Sequence, residues 1–160
     1  AGWQTLVNLL HPGGLMRIGL YSEIGRQDLI AGRSLLAEKG YSTSPEDIRR
    51  CRQDIIAMAE GGNTETTTIC NRNDFFNMSN CRDLLFNVQE HRFTLPKIEE
   101  ALKSLNLNFL GFEMEDQRLL RMFRESYPDS HDATSLSLWH KFELKHPDKL
   151  SGYPFWCQKL

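Results

Sequence analysis

The sequence predicts an α/β protein, because short apolar runs of strand type alternate with longer stretches of helical period. Three runs carry the strand signal: Leu15 to Tyr21, Leu107 to Glu113 and Tyr153 to Gln158. Among them lie six to seven segments whose apolar residues recur every three or four positions, the period of a helix with one buried face. A helical insertion over about residues 24–105 separates the first two runs and is long enough for a parallel crossover. With 160 residues, the chain is the size of one domain with a core of its own.

Trp3, Leu6, Val7 and Leu10 mark the end of an amphipathic helix that Pro12-Gly13-Gly14 stops. Ile18 and Leu20 favour a buried strand in the run that follows. The segment from about Ile24 to Lys39 reads as a helix closed by Gly40. Ser44-Pro45-Glu46-Asp47 is a helix start: a capping hydroxyl, a proline in the first turn, and acids at the positive end. Ile48, Ile55, Ile56 and Ala59 form its apolar stripe, ended by Gly61-Gly62. Thr64 to Asn71 and Asn80 to Gln89 read as further short helices, with Glu90-His91-Arg92 at the end of the second. Thr94 and Pro96 open a helix whose core face is Ile98, Ala101, Leu102 and Leu105. Gln117 to Ser126 and Thr134 to His146 are the last two helices, and Pro154 stands near the start of the final strand, where a missing donor is tolerable.

Charge narrows the classes of partner. The formal charge of −2 lacks the basic excess that a nucleic-acid or anionic-membrane surface requires. No apolar run approaches the about 20 residues that span a bilayer, and no cationic-then-apolar leader opens the chain, so a cytoplasmic location is expected. Cys51, Cys70, Cys81 and Cys157 form no C-x-x-C pair and are expected as reduced, mostly buried thiols. His11, His131, His140 and His146 are scattered and suggest no metal site.

Four segments in order, "LLHPGGLMRIGLYSE", "CRDLLFNVQEHRFTLPKIEEAL", "LNFLGFE" and "YPFWCQK", resemble the C-terminal half of bacterial class I S-adenosylmethionine-dependent methyltransferases, of a type often fused to tetratricopeptide repeats. The resemblance spans nearly the whole chain. It implies a partial Rossmann-like fold with sheet order first-third-second, the last strand antiparallel and central. It also implies a cofactor site built on a glycine-rich turn after one strand and an acidic residue ending the next. This sequence has no G-x-G run, so the cofactor-binding half is expected to be absent and no cofactor is expected in this chain.

Two groups of residues are candidates for substrate contact. Tyr21, Ser22 and Glu23 leave the carboxyl end of the first strand, where open α/β sheets place ligands; strand termination is their alternative role. Glu90, His91 and Arg92 gather an acid, an imidazole and a guanidinium. His91 is the candidate general base for a methyl-accepting group, with Glu90 or Asp83 to orient it, and a helix-end hydrogen bond is the alternative. A Cys81 thiolate favoured by Arg82 is weighed against a packed thiol, which is preferred. Trp139, Phe142, Phe155 and Trp156 are expected in the core.

The first strand carries only one charge, Arg17, and no proline, so its exposed edge would invite pairing. A homodimer through the edge of residues 15–21 is therefore expected. Two functional readings follow: a methyltransferase-like protein without independent catalysis that binds a ligand or partner, or a fragment of an active methyltransferase.

Overall fold

The computed structural model describes residues 2–87, 89–114, 116–130 and 133–160, so His131 lies outside the described residues. The chain forms two compact units, Ala1–Gly25 with His91–Leu160, and Arg26–Glu90. No helix among the described residues is long and apolar enough to cross a membrane.

The first unit holds α1 (Gly2–Leu9), β1 (Leu15–Ser22), β2 (Arg92–Phe93), α6 (Leu95–Ser104), β3 (Leu107–Phe112), α7 (Gln117–Ser126), α8 (Leu136–Lys145) and β4 (Gly152–Lys159). Its sheet runs β2-β1-β4-β3. β2 is parallel to β1, and β4 lies antiparallel between β1 and β3. The two-residue period of a strand sorts the side chains. Met16, Ile18, Tyr153, Phe155 and Cys157 enter the core, where α6 and α8 add Ile98, Leu102, Trp139 and Phe142. Phe123 of α7 stacks on Trp139 with ring centroids 3.8 Å apart. Leu15, Tyr21 and Trp156 take the opposite face and are exposed. Leu110 is the extra residue of a β-bulge between Phe109 and Gly111, which puts Phe109 and Phe112 on the same core face. The Lys159 ammonium donates to the carbonyls of Val7 and Leu10, closing the carboxyl end of α1.

The second unit is helical: α2 (Gln27–Lys39), α3 (Pro45–Glu60), α4 (Thr64–Cys70), a 3₁₀ turn at Asn73–Phe75, and α5 (Met78–Phe86). Side-chain caps begin three of these helices, with Ser44, Asn63 and Asn77 accepting from backbone amides two or three residues on. Its core joins Leu29, Ile48, Cys51, Ile55, Ile69, Phe75, Cys81 and Leu85.

Four expectations are corrected. The sheet has four strands rather than three, in the order β2-β1-β4-β3, because Arg92–Phe93 adds a strand too short to leave a pattern. Eight α-helices are present among the described residues rather than six or seven, since α1 and α4 are only about two turns each. The helix before Glu90-His91-Arg92 ends at Phe86, so those residues are not its terminus. Trp156 is 40% exposed, as the alternation that buries Phe155 and Cys157 requires. The thiols of Cys51, Cys81 and Cys157 are buried, and burial pushes Cys51 up to about 12 and Cys81 up to about 11, against a Cys81 thiolate.

Candidate functional site

β1 ends in a polar cluster that its own residues begin. Period two sends Ser22 inward and Tyr21 outward. Inward, Ser22 Oγ donates to Glu143 Oε1 at 2.6 Å. The Tyr153 hydroxyl lies 2.6 Å from the same carboxylate oxygen and 2.9 Å from Ser22 Oγ. The Gly25 amide donates to Ser22 Oγ at 2.8 Å. Ser22, Glu143 and Tyr153 are each fully buried. The network therefore ties the carboxyl end of β1 to α8 and to the start of β4, and it occupies the Ser22 hydroxyl fully. Glu143 Oε2 and His140 Nδ1, one helical turn apart on α8, are buried with no hydrogen-bond partner.

Burial raises the Glu143 carboxyl above the usual range, against the opposing hydrogen bonds from Ser22 and Tyr153. A raised acid binds its proton more tightly in the folded state than in the unfolded chain. Its contribution to stability is present below the ordinary carboxylate range and is lost as pH rises through the folded value. Glu143→Gln keeps an acceptor for Ser22 and Tyr153 and removes the ionisation. Urea unfolding at a series of pH values is expected to show a decline above the acid range in the wild type that is absent in the variant. An identical decline in both proteins would contradict this role for Glu143.

Outward, Tyr21 is in register with Arg92 of β2, and the Glu23 amide donates to the Phe93 carbonyl at 2.9 Å. The Glu23 carboxylate pairs with Lys97 of α6 at 3.5 Å. Tyr21, Glu23 and Arg92 thus stand together at the carboxyl ends of two parallel strands. His91 is exposed, with no side-chain hydrogen bond among the described residues.

Glu90 stands in the helical unit. Its side chain is 1% exposed and is clasped by Arg26 at 3.0 and 2.7 Å and by Arg33 at 3.0 Å. Burial alone would raise this carboxyl; the two guanidiniums outweigh it and hold the group below its ordinary value. A carboxylate so occupied is not placed to orient an imidazole. Glu143, Tyr153 and Lys97 join the polar cluster unannounced by the sequence, because their partners are far along the chain.

A glycine-rich cofactor turn needs open space where the missing side chains would be. Gly25 follows β1, yet a Cβ there would lie 1.8 Å from the Leu150 carbonyl oxygen, so the protein's own backbone fills that space. Gly13 and Gly14 precede β1, Gly40 and Gly61 end helices, and Gly111 belongs to the bulge. Among the described residues no group of three His, Cys, Asp or Glu side chains is placed to hold a metal ion.

By fold, the chain resembles PKMT2 from Rickettsia typhi, a protein solved in complex with AdoHcy. The TM-score is 0.68 at 11% identity, over 98% of this chain and 32% of that one. The chain thus spans about a third of the length of that protein. No family model and no curated protein matches the sequence. The likeness shows that this chain shares the α/β fold of part of that protein.

Proposed function

We propose that this chain is the substrate-side portion of a methyltransferase-type sheet, without a cofactor cradle of its own, and that it acts by binding a ligand or a partner. The carrying observation is the placement of β4, antiparallel between β1 and β3, in the arrangement that the family resemblance implies. The packed glycine after β1 supports the second half of the reading, since the Leu150 backbone fills the space where its side chain would be. S-adenosylmethionine would then contact this chain only when a separate cofactor-binding half is supplied. A second reading, a fragment of an active S-adenosylmethionine-dependent methyltransferase, is favoured by the AdoHcy complex of the longer neighbour.

The module is proposed to pair with a second copy along β1. The amide of Ser22 and the carbonyl of Gly14 bond to the β4 side, so odd-numbered residues of β1 turn their backbone groups to the other edge. There β2 covers only the stretch at Tyr21 and Ser22, while Leu15 and Gly19 are exposed. Gly19→Pro removes a donor from that edge without touching the bonds to β4. Sedimentation at micromolar concentration is expected to show a dimer for the wild type and a monomer for the folded variant. A wild-type monomer, or a dimer unchanged by Gly19→Pro, would contradict edge pairing.

A further inference from the structure

We propose that Arg92 is an oxyanion-binding residue, taking the carboxylate or phosphate group of a ligand on the open face of the sheet beside Tyr21. The inference deepens the substrate-side reading by naming the chemical class of what is bound, and it rests on that reading only for the ligand's biological role. It starts from a comparison of the arginines that are at least half-buried. Arg26 and Arg33 hold Glu90, and Arg72 holds Asp28 through two hydrogen bonds of 2.7 and 2.6 Å. Arg52 lies over the rings of Phe75 and Phe76. Arg33 Nε and Arg52 Nε are also buried without a hydrogen-bond partner, but those guanidiniums are held elsewhere, by Glu90 and by the two rings. Arg92 differs in that, besides its buried and unpartnered Nη1, the side chain has no hydrogen bond, ion pair or ring contact among the described residues.

A guanidinium is a planar fork of donors that matches a carboxylate or phosphate, and burying one of its nitrogens without an acceptor is unfavourable. Nη1 itself is closed to solvent, so a ligand oxyanion would be taken by Nε and Nη2, which are not sealed in. The surroundings suit such a ligand. Lys97 pairs with the Glu23 carboxylate just past the end of β1, which lessens the negative charge at that strand end. Strand register puts Arg92 on the same face as Tyr21, which is 40% exposed and offers a ring to the body of a ligand. Two residues back on that face, a Cβ at Gly19 would meet no atom within 4 Å, so a shelf beside Tyr21 is open. The site is also at the carboxyl ends of two parallel strands, where ligands of open α/β sheets lie.

The test is a titration of the whole chain with sodium acetate and, separately, methyl phosphate, each at constant ionic strength with chloride as the balancing anion. The readout is the guanidinium Nε–Hε resonance of Arg92 in nitrogen-proton correlation spectra, assigned by its disappearance in Arg92→Lys. Saturable movement of that resonance with acetate identifies a carboxylate site, and with methyl phosphate a phosphate site; either outcome supports the proposal. Backbone shifts of Tyr21 and Phe93 should follow the same curve. In Arg92→Lys those backbone shifts should need about tenfold more anion, because an ammonium lacks the bidentate fork. No saturable movement with either anion would overturn the proposal, and the wild-type titration decides this even if the variant folds poorly. Backbone shifts of equal affinity in Arg92→Lys would overturn it as well. Neither result bears on whether the chain binds S-adenosylmethionine, so failure of this site and failure of the methyltransferase-type reading are separable.

Discussion

Gly25→Ala is expected to destabilise the sheet-bearing unit by about 3 kcal/mol or more, among the largest effects of any single methyl group in this chain. The added Cβ would sit 1.8 Å from the Leu150 carbonyl oxygen and 2.7 Å from its carbon. Both are backbone atoms in the segment leading into β4, so no rotamer change relieves the overlap. Separation of the two segments would also pull the Ser22 amide from the Ser151 carbonyl and Ser22 Oγ from the Tyr153 hydroxyl, loosening the network on Glu143. Gly32→Ala is the control. There the Cβ meets the ends of two flexible side chains, Ile69 at 2.8 Å and Leu85 at 3.2 Å. Alanine recovers about 1 kcal/mol of helix propensity in α2, so the net change should be small. Denaturant unfolding of both variants checks the contrast, and a Gly25→Ala protein as stable as the wild type would refute the close approach.

Glu90→Ala is expected to cost the helical unit about 3–5 kcal/mol, because it leaves two guanidiniums facing each other without their carboxylate. Arg26 is 7% exposed and Arg33 23%, so neither can turn fully into water without disturbing α2. Arg33 also donates to the Leu84 carbonyl at 2.9 Å, which extends the effect to α5. The pH dependence has the opposite sign to that of Glu143. A depressed acid stabilises the fold fully above the ordinary carboxylate range, and that stability is lost as pH falls through the depressed value. Hydrogen exchange of α2 and α5 amides measures the effect locally. Protection within about 1 kcal/mol of the wild type would show that the clasp is not structural.

The strands β1, β3 and β4 were legible because each is a run of apolar residues between turn residues, and β4 also carries proline at its start. β2 was not, since a two-residue strand has no period to detect; its existence depends on Tyr21 and Ser22 of a strand some seventy positions earlier. That missing strand also explains why "EHR" read as a helix end. The helix had already stopped at Phe86, and Arg92 was waiting to pair. The candidate site was legible in outline only. Tyr21, Ser22 and Glu23 were readable as polar residues leaving the first strand, whereas Arg92 read as part of a helix end. The direction of Ser22 follows from strand parity, which turns it inward to Glu143. The Glu90 cluster could not be read, because Arg26 and Arg33 approach from more than fifty residues away.

The central claim is that this chain supplies the substrate side of a methyltransferase-type sheet and holds no cofactor by itself. Titration calorimetry of the full chain with S-adenosylmethionine, and with AdoHcy, tests it most directly. The account predicts no saturable heat with either compound up to millimolar concentration. A single-site isotherm in the micromolar range for either one would contradict it.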